Sequence, residues 1–189
     1  MSIQSRRERE RAERERLIVT AARELAESEG WDAVTTRRLA EEIEYSQPVL
    51  YSHFKGKTAI MTAVALEGFA DLAAELHAAR TAASPQQTLA AVGAAYAAFA
   101  EQRPALYDAM FAHAVDLPFA TPQAPAALQA SFGELRESLR PLAKDDNLEV
   151  LTETFWSGLH GLITLMRNGR LRREDHERRL ALLITRFSR

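Results

Sequence analysis

The 189-residue sequence contains no cysteine. Disulfides, thiolate nucleophiles and cysteine metal sites are therefore excluded. Aromatic residues are scarce at 7%, although 47% of the chain is hydrophobic. Alanine is abundant in the remainder, which suits closely packed helices. Long hydrophobic runs are missing too. The longest uncharged apolar stretches, residues 89–100 and 158–166, fall well short of the roughly 20 residues that a membrane helix needs. The opening MSIQSRRERERAERER is charged and has no apolar core behind it, unlike a secretory signal. A cytoplasmic chain with no membrane partner is the expectation.

No sign of charge dominates. The net charge is −2, and residues 1–57 hold eleven basic and eleven acidic side chains. A surface for a polyanion must then come from the placement of basic groups and not from their excess. Catalytic signatures are absent: there is no Gly-rich phosphate loop, no metal-spaced histidine cluster and no nucleophile–base pair. His113 beside Asp116, and His160, read more simply as structural histidines than as catalytic or ligand groups. No metal, cofactor or enzymatic activity is expected. An all-helical enzyme, the alternative class, would need a nucleophile–base pair that these residues do not supply.

The informative stretch runs from Thr35 to Lys57, TTRRLAEEIEYSQPVLYSHFKGK. Ahead of it, residues 6–29 have helical periodicity, with an apolar stripe starting at Leu17, Ile18, Ala21, Ala22 and Leu25 and a C-capping Gly30. The charged first turns of that helix are either a solvated end or a basic arm that reaches DNA. Thr35 or Thr36 can cap a second helix over about 37–43, with Leu39, Ala40 and Ile43 inside. Ser46 is the next N-cap, and Pro48 sits in the first turn of a very short helix that Lys55-Gly56-Lys57 breaks. Two short helices with a tight turn are the smallest device for pushing a helix into a DNA groove.

In such a pair the start of the second helix faces the bases, here Ser46, Gln47, Pro48 and Val49. Gln47 can pair with adenine, while Pro48 and Val49 offer apolar surface to a thymine methyl. Arg37 can reach a guanine or a phosphate. Thr36, Tyr51, His53 and Lys57 carry donors suited to phosphate oxygens; for His53 a structural hydrogen bond is an equal reading. Downstream, helices are predicted over about 58–81, 85–102, from 104 to 113 or 115, 126–142, 148–168 and 173–187, with a loop at 116–125. The fold class is all-α, with about nine helices.

The set Val34-Thr35-Thr36-Arg37, Leu39-Ala40, Ser46-Gln47-Pro48, Leu50-Tyr51, His53-Phe54 and Lys57 resembles the TetR family of transcriptional regulators over about residues 14–65. Tyr45 and Ser52 depart from the usual pattern. The resemblance implies that Arg37 and Gln47 read bases, that Pro48 and Val49 pack against them, and that Thr36, Tyr51 and Lys57 hold the backbone. It also implies a three-helix DNA-binding domain over 1–57 and a helical ligand-binding and dimerisation domain over 58–189. Residues 155–162, FWSGLHGL, resemble the Trp-His-Gly signature of one C-terminal subgroup.

The implied partners are a palindromic double-stranded operator, a second copy of the chain and a small-molecule effector. Half-sites about 34–36 Å apart call for a two-fold partner. Leu151, Phe155, Leu159, Leu162, Met166, Leu180 and Leu183 are candidates for the dimer interface, or equally for the core of one chain. Phe69, Tyr96, Phe99, Tyr107, Met110, Phe111 and Phe155 are candidates for an apolar or aromatic effector site, or for a filled core. The reading is a homodimeric repressor released by its effector. The alternative is a constitutive or partner-controlled DNA-binding protein with no effector.

Overall fold

Gly30 takes a φ of +84° and ends the first helix, α1 (Ile3–Glu29), as its lack of a side chain permits. The computed structural model describes residues 3–111, 117–119 and 121–188. Among these the chain is all helical: α2 (Thr36–Glu42), α3 (Gln47–His53), α4 (Lys57–Ala82), α5 (Thr88–Gln102), α6 (Pro104–Phe111), α7 (Ala126–Leu139), α8 (Leu148–Arg167) and α9 (His176–Phe187) follow α1. No helix among the described residues is long and apolar enough to cross a membrane. His113 and Asp116 lie outside the described residues.

Caps set most boundaries. The Thr35 hydroxyl accepts the Arg38 amide at 3.1 Å and starts α2. Asn147 accepts the amides of Glu149 and Val150 and starts α8. Ser46 occupies the N-cap position of α3 but makes no side-chain capping bond. Residues 84–87 form a turn, closed by Gln87 N–H to the Ser84 carbonyl at 2.9 Å, so α5 begins later than Pro85 suggests. Pro141 cannot continue α7, which ends at Leu139 in a 3-10 turn.

The described residues divide into two compact units. The first draws on Met1–Gly68 and Arg103–Thr121, and the second on Phe69–Gln102 and Pro122–Arg189. In the first, α1 packs against α2, α3 and α6. Ile18, Ala22, Val34, Leu39, Leu50, Ile60 and Val64 are buried there. Gly68 admits α6: a Cβ on it would stand 2.7 Å from Met110 Sδ.

In the second unit α8 packs on α7 and α9, and α5 contacts all three. Gly158 is what lets α9 approach, since a Cβ there would lie 2.9 Å from Leu183 Cδ1. Glu134 of α7 accepts from Arg80 of α4 at 2.6 Å. Phe155, Leu159 and Met166, offered by the sequence as interface residues, point into the core of the single chain at 0%, 1% and 4% exposure. That burial leaves them no surface for a second copy. Leu151, Leu162, Leu180 and Leu183 are half-buried.

Candidate nucleic-acid interface

Leu39 and Ala40 of α2 and Leu50 of α3 are buried and fix how the two short helices cross. The opposite side of the pair is bare. Arg37, Ser46, Gln47, Pro48 and Tyr51 are exposed, and Thr36 and Val49 are half-buried. Tyr51 is 54% exposed, so its ring and hydroxyl are open to a partner on this side. Its hydroxyl lies 3.4 Å from Thr36 Oγ1, so the first turn of α2 and the body of α3 present their hydroxyls together.

The turn between α2 and α3 is made by Glu44, which takes a left-handed φ of +56°. The Tyr45 amide then reaches back to the Ala40 carbonyl at 2.9 Å. A non-glycine residue there is strained. The turn closed by that bond sets the direction in which α3 leaves α2.

The cations around this surface differ in their engagements. Arg37 Nε pairs with Glu41 one turn on, at 3.0 Å, with both side chains largely exposed. Arg38 is forked by Glu29 of α1 at 2.6 and 3.0 Å, which keeps its guanidinium charged and ties α2 to α1. Lys57 is half-buried, and its ammonium donates to the Trp31 carbonyl. His53 turns inward: its side chain is 7% exposed, with Nδ1 at 3.3 Å from Glu15 of α1. The geometry gives His53 a structural bond and leaves little of the ring to reach a phosphate.

Behind this surface, α6 is tied to α1 by bonds that the sequence does not signal. The Glu27 carboxylate accepts the amides of Ala105 and Leu106 at 3.1 and 2.9 Å, satisfying the first turn of α6. The Trp31 indole donates to the Ala105 carbonyl at 2.8 Å. The partners are more than seventy residues apart, beyond any local pattern.

The candidate effector residues fall in both units. Phe69, Tyr96, Phe99 and Phe155 belong to the second and are all buried. There the Trp156 indole donates to the Tyr96 hydroxyl at 3.0 Å, and Phe155 meets Phe187 edge-on at 5.1 Å. Tyr107, Met110 and Phe111 belong to the first, with the rings of Tyr107 and Phe111 4.8 Å apart. His160 is half-buried beside Trp156, with Thr164 Oγ1 at 3.3 Å from Nε2; burial, and then Arg167, lower its pKa from the ordinary 6.5.

Comparison with known proteins agrees with this arrangement. Residues 18–64 match the family of bacterial regulatory proteins of the tetR type, and residues 89–187, more than half of the chain, match the tetracyclin repressor-like C-terminal domain. Over 50 residues the chain is 44% identical to the class D tetracycline repressor protein of Escherichia coli, which covers 26% of this chain and 23% of that protein. The chain thus spans about a quarter of the length of the tetracycline repressors it matches. A Rhodococcus sp. RHA1 protein of unknown function shares the fold, with a TM-score of 0.75 at 24% identity over 92% of each chain. So does BioQ, solved with its double-stranded DNA operator, with a TM-score of 0.65 at 21% identity over 92% of this chain and 97% of that one. With the bare α2–α3 surface and both halves of the family matched, the chain belongs to the TetR family of DNA-binding transcriptional regulators.

Proposed function

We propose that this regulator is a homodimeric repressor that a small apolar or aromatic effector releases from a palindromic operator. Residues 1–57 read the DNA, and residues 58–189 hold the effector and the second copy. Arg37 and Gln47 contact base edges, Pro48 and Val49 pack on them, and Thr36, Ser46, Tyr51 and Lys57 hold phosphates. The observation that carries the reading is the shared surface of α2 and α3, where Thr36 and Tyr51 meet at 3.4 Å beside an uncovered Gln47.

The second copy docks on the bare side of α8 and α9. Val150, Leu165 and Leu182 are 58%, 46% and 57% exposed there. Gly161 has open space where a Cβ would be, which allows a helix of the partner to come close. Repression and release amount to a population shift: the effector favours a state whose two reading heads no longer match the half-sites.

The effector site lies among Phe69, Tyr96, Phe99 and Phe155, with the Tyr96–Trp156 hydrogen bond as its polar handle. The other candidates, Tyr107, Met110 and Phe111, lie in the first unit, with the rings of Tyr107 and Phe111 4.8 Å apart. A specific observation favours the constitutive reading as well: Tyr96, Phe99 and Phe155 are at most 1% exposed, as in a filled core. The test is to assemble the full chain on a duplex enriched from a random pool and add a panel of neutral aromatic compounds. Release by one of them, lost in Phe99→Ala while DNA affinity is kept, supports the effector site. A panel without effect supports the constitutive reading.

A further inference from the structure

The first turns of α1 are not explained by packing. Burial on α1 begins at Ile18, and residues 4–16 are all exposed or half-exposed. Ion pairs along the helix support this stretch: Arg6 with Glu10 and Arg11 with Glu15, each at 2.8 Å. Arg7, Arg11 and Arg14 stand at i, i+4 and i+7 and so share one stripe of the helix. Glu10 and Glu15 border that stripe, beside Arg14 and Arg11, and Glu8 and Glu13 lie farther round the helix.

One contact fixes where the stripe lies. The Glu15 carboxylate accepts from Arg11 Nε at 2.8 Å and lies 3.3 Å from Nδ1 of His53. His53 is the last residue of α3, whose first residues are the proposed base readers. Glu15 therefore joins the basic stripe to the far end of the reading helix. The stripe spans about 10 Å along α1 at 1.5 Å per residue, enough to meet more than one phosphate of a strand.

We propose that Arg7, Arg11 and Arg14 form a second DNA contact, gripping the phosphate backbone beside each half-site. The occupant is duplex DNA because residues 4–16 carry six arginines against four glutamates, three of those arginines share one stripe, and Glu15 ties that stripe to the end of α3. This inference rests on the reading of α3 as the groove-entering helix. The arm supplies affinity and salt dependence without base information, and so gives a nearly neutral chain the phosphate contacts that its composition does not suggest.

The test uses the full chain and a duplex enriched from a random pool by the wild type, once with long flanks and once trimmed to its half-sites. Arg7→Ala/Arg14→Ala leaves the Arg11–Glu15–His53 chain intact and alters exposed positions, so its melting temperature should match the wild type. On the long duplex the slope of log affinity against log salt should fall by about two per subunit. Arg7→Lys/Arg14→Lys should keep the slope, the trimmed duplex should show no difference, and the enriched base motif should be unchanged. An unaltered slope on the long duplex overturns the proposal and marks the arm as a solvated face. Equal losses on both duplexes also overturn it. A folded wild type that enriches no duplex would remove the reading of α3, and this proposal with it.

Discussion

Trp31 donates its indole N–H to the carbonyl of Ala105 at 2.8 Å, and the carbonyl of the same Trp31 accepts from Lys57. One buried residue thus holds both the first turn of α6 and the cation that opens α4. Trp31→Phe removes the donor together with part of the buried ring volume. It should destabilise the fold by about 1–3 kcal/mol, from the lost bond to the Ala105 carbonyl and the space left behind. Thermal or urea unfolding reads the difference, and an unchanged midpoint would show that the bond contributes nothing net.

Glu44 holds a left-handed backbone at +56° in the α2–α3 turn. Glu44→Gly relieves that conformation at the expense of a more flexible unfolded chain. A net stabilisation of up to about 1 kcal/mol is expected by urea unfolding, with DNA binding retained. Destabilisation would mean that the Glu44 side chain itself supports the turn.

His160 is held neutral in the fold, chiefly by burial and then by the nearby Arg167. Its folded pKa lies below the unfolded value near 6.5, so the unfolded chain binds the extra proton first. The stability tied to this group is complete above about pH 6.5 and falls as the pH drops below it. His160→Gln should flatten that part of the stability–pH curve. A curve of the same slope as wild type between pH 6.5 and 5 would show that His160 contributes nothing to it.

Leu165 and Leu182 are exposed in the single chain. Leu165→Glu/Leu182→Glu should therefore fold, yet place charges in the proposed interface between copies. Sedimentation should show a monomer where wild type is a dimer, with weakened binding to a two-half-site duplex. A dimer of unchanged stability would move the interface elsewhere on the molecule.

The helices were legible because their signals are local. Gly30 and Thr35 stop and start the chain where the pattern says, and the exposure of Gln47 and Pro48 comes from their place at the start of α3. The faces were not legible in the same way. The apolar stripe of α8 predicts that Phe155, Leu159 and Met166 are covered, but periodicity cannot distinguish a neighbouring helix of the same chain from a second copy. The same limit hid the bonds from Glu27 to Ala105 and Leu106, and the one between Glu15 and His53, because their partners are distant in sequence. Donor chemistry alone left His53 open between phosphate and protein, and its burial against Glu15 is a tertiary fact.

The most direct test of the DNA-reading surface compares two single variants on the enriched duplex and on versions of it with one base pair changed. Gln47→Ala should lose about 1–3 kcal/mol on the cognate duplex and relax preference at one position per half-site. Lys57→Ala should weaken binding to every duplex alike and lower the salt slope by about one per subunit. If both variants lose affinity equally across all duplexes with unchanged slopes, the division of this surface into base readers and phosphate anchors is contradicted.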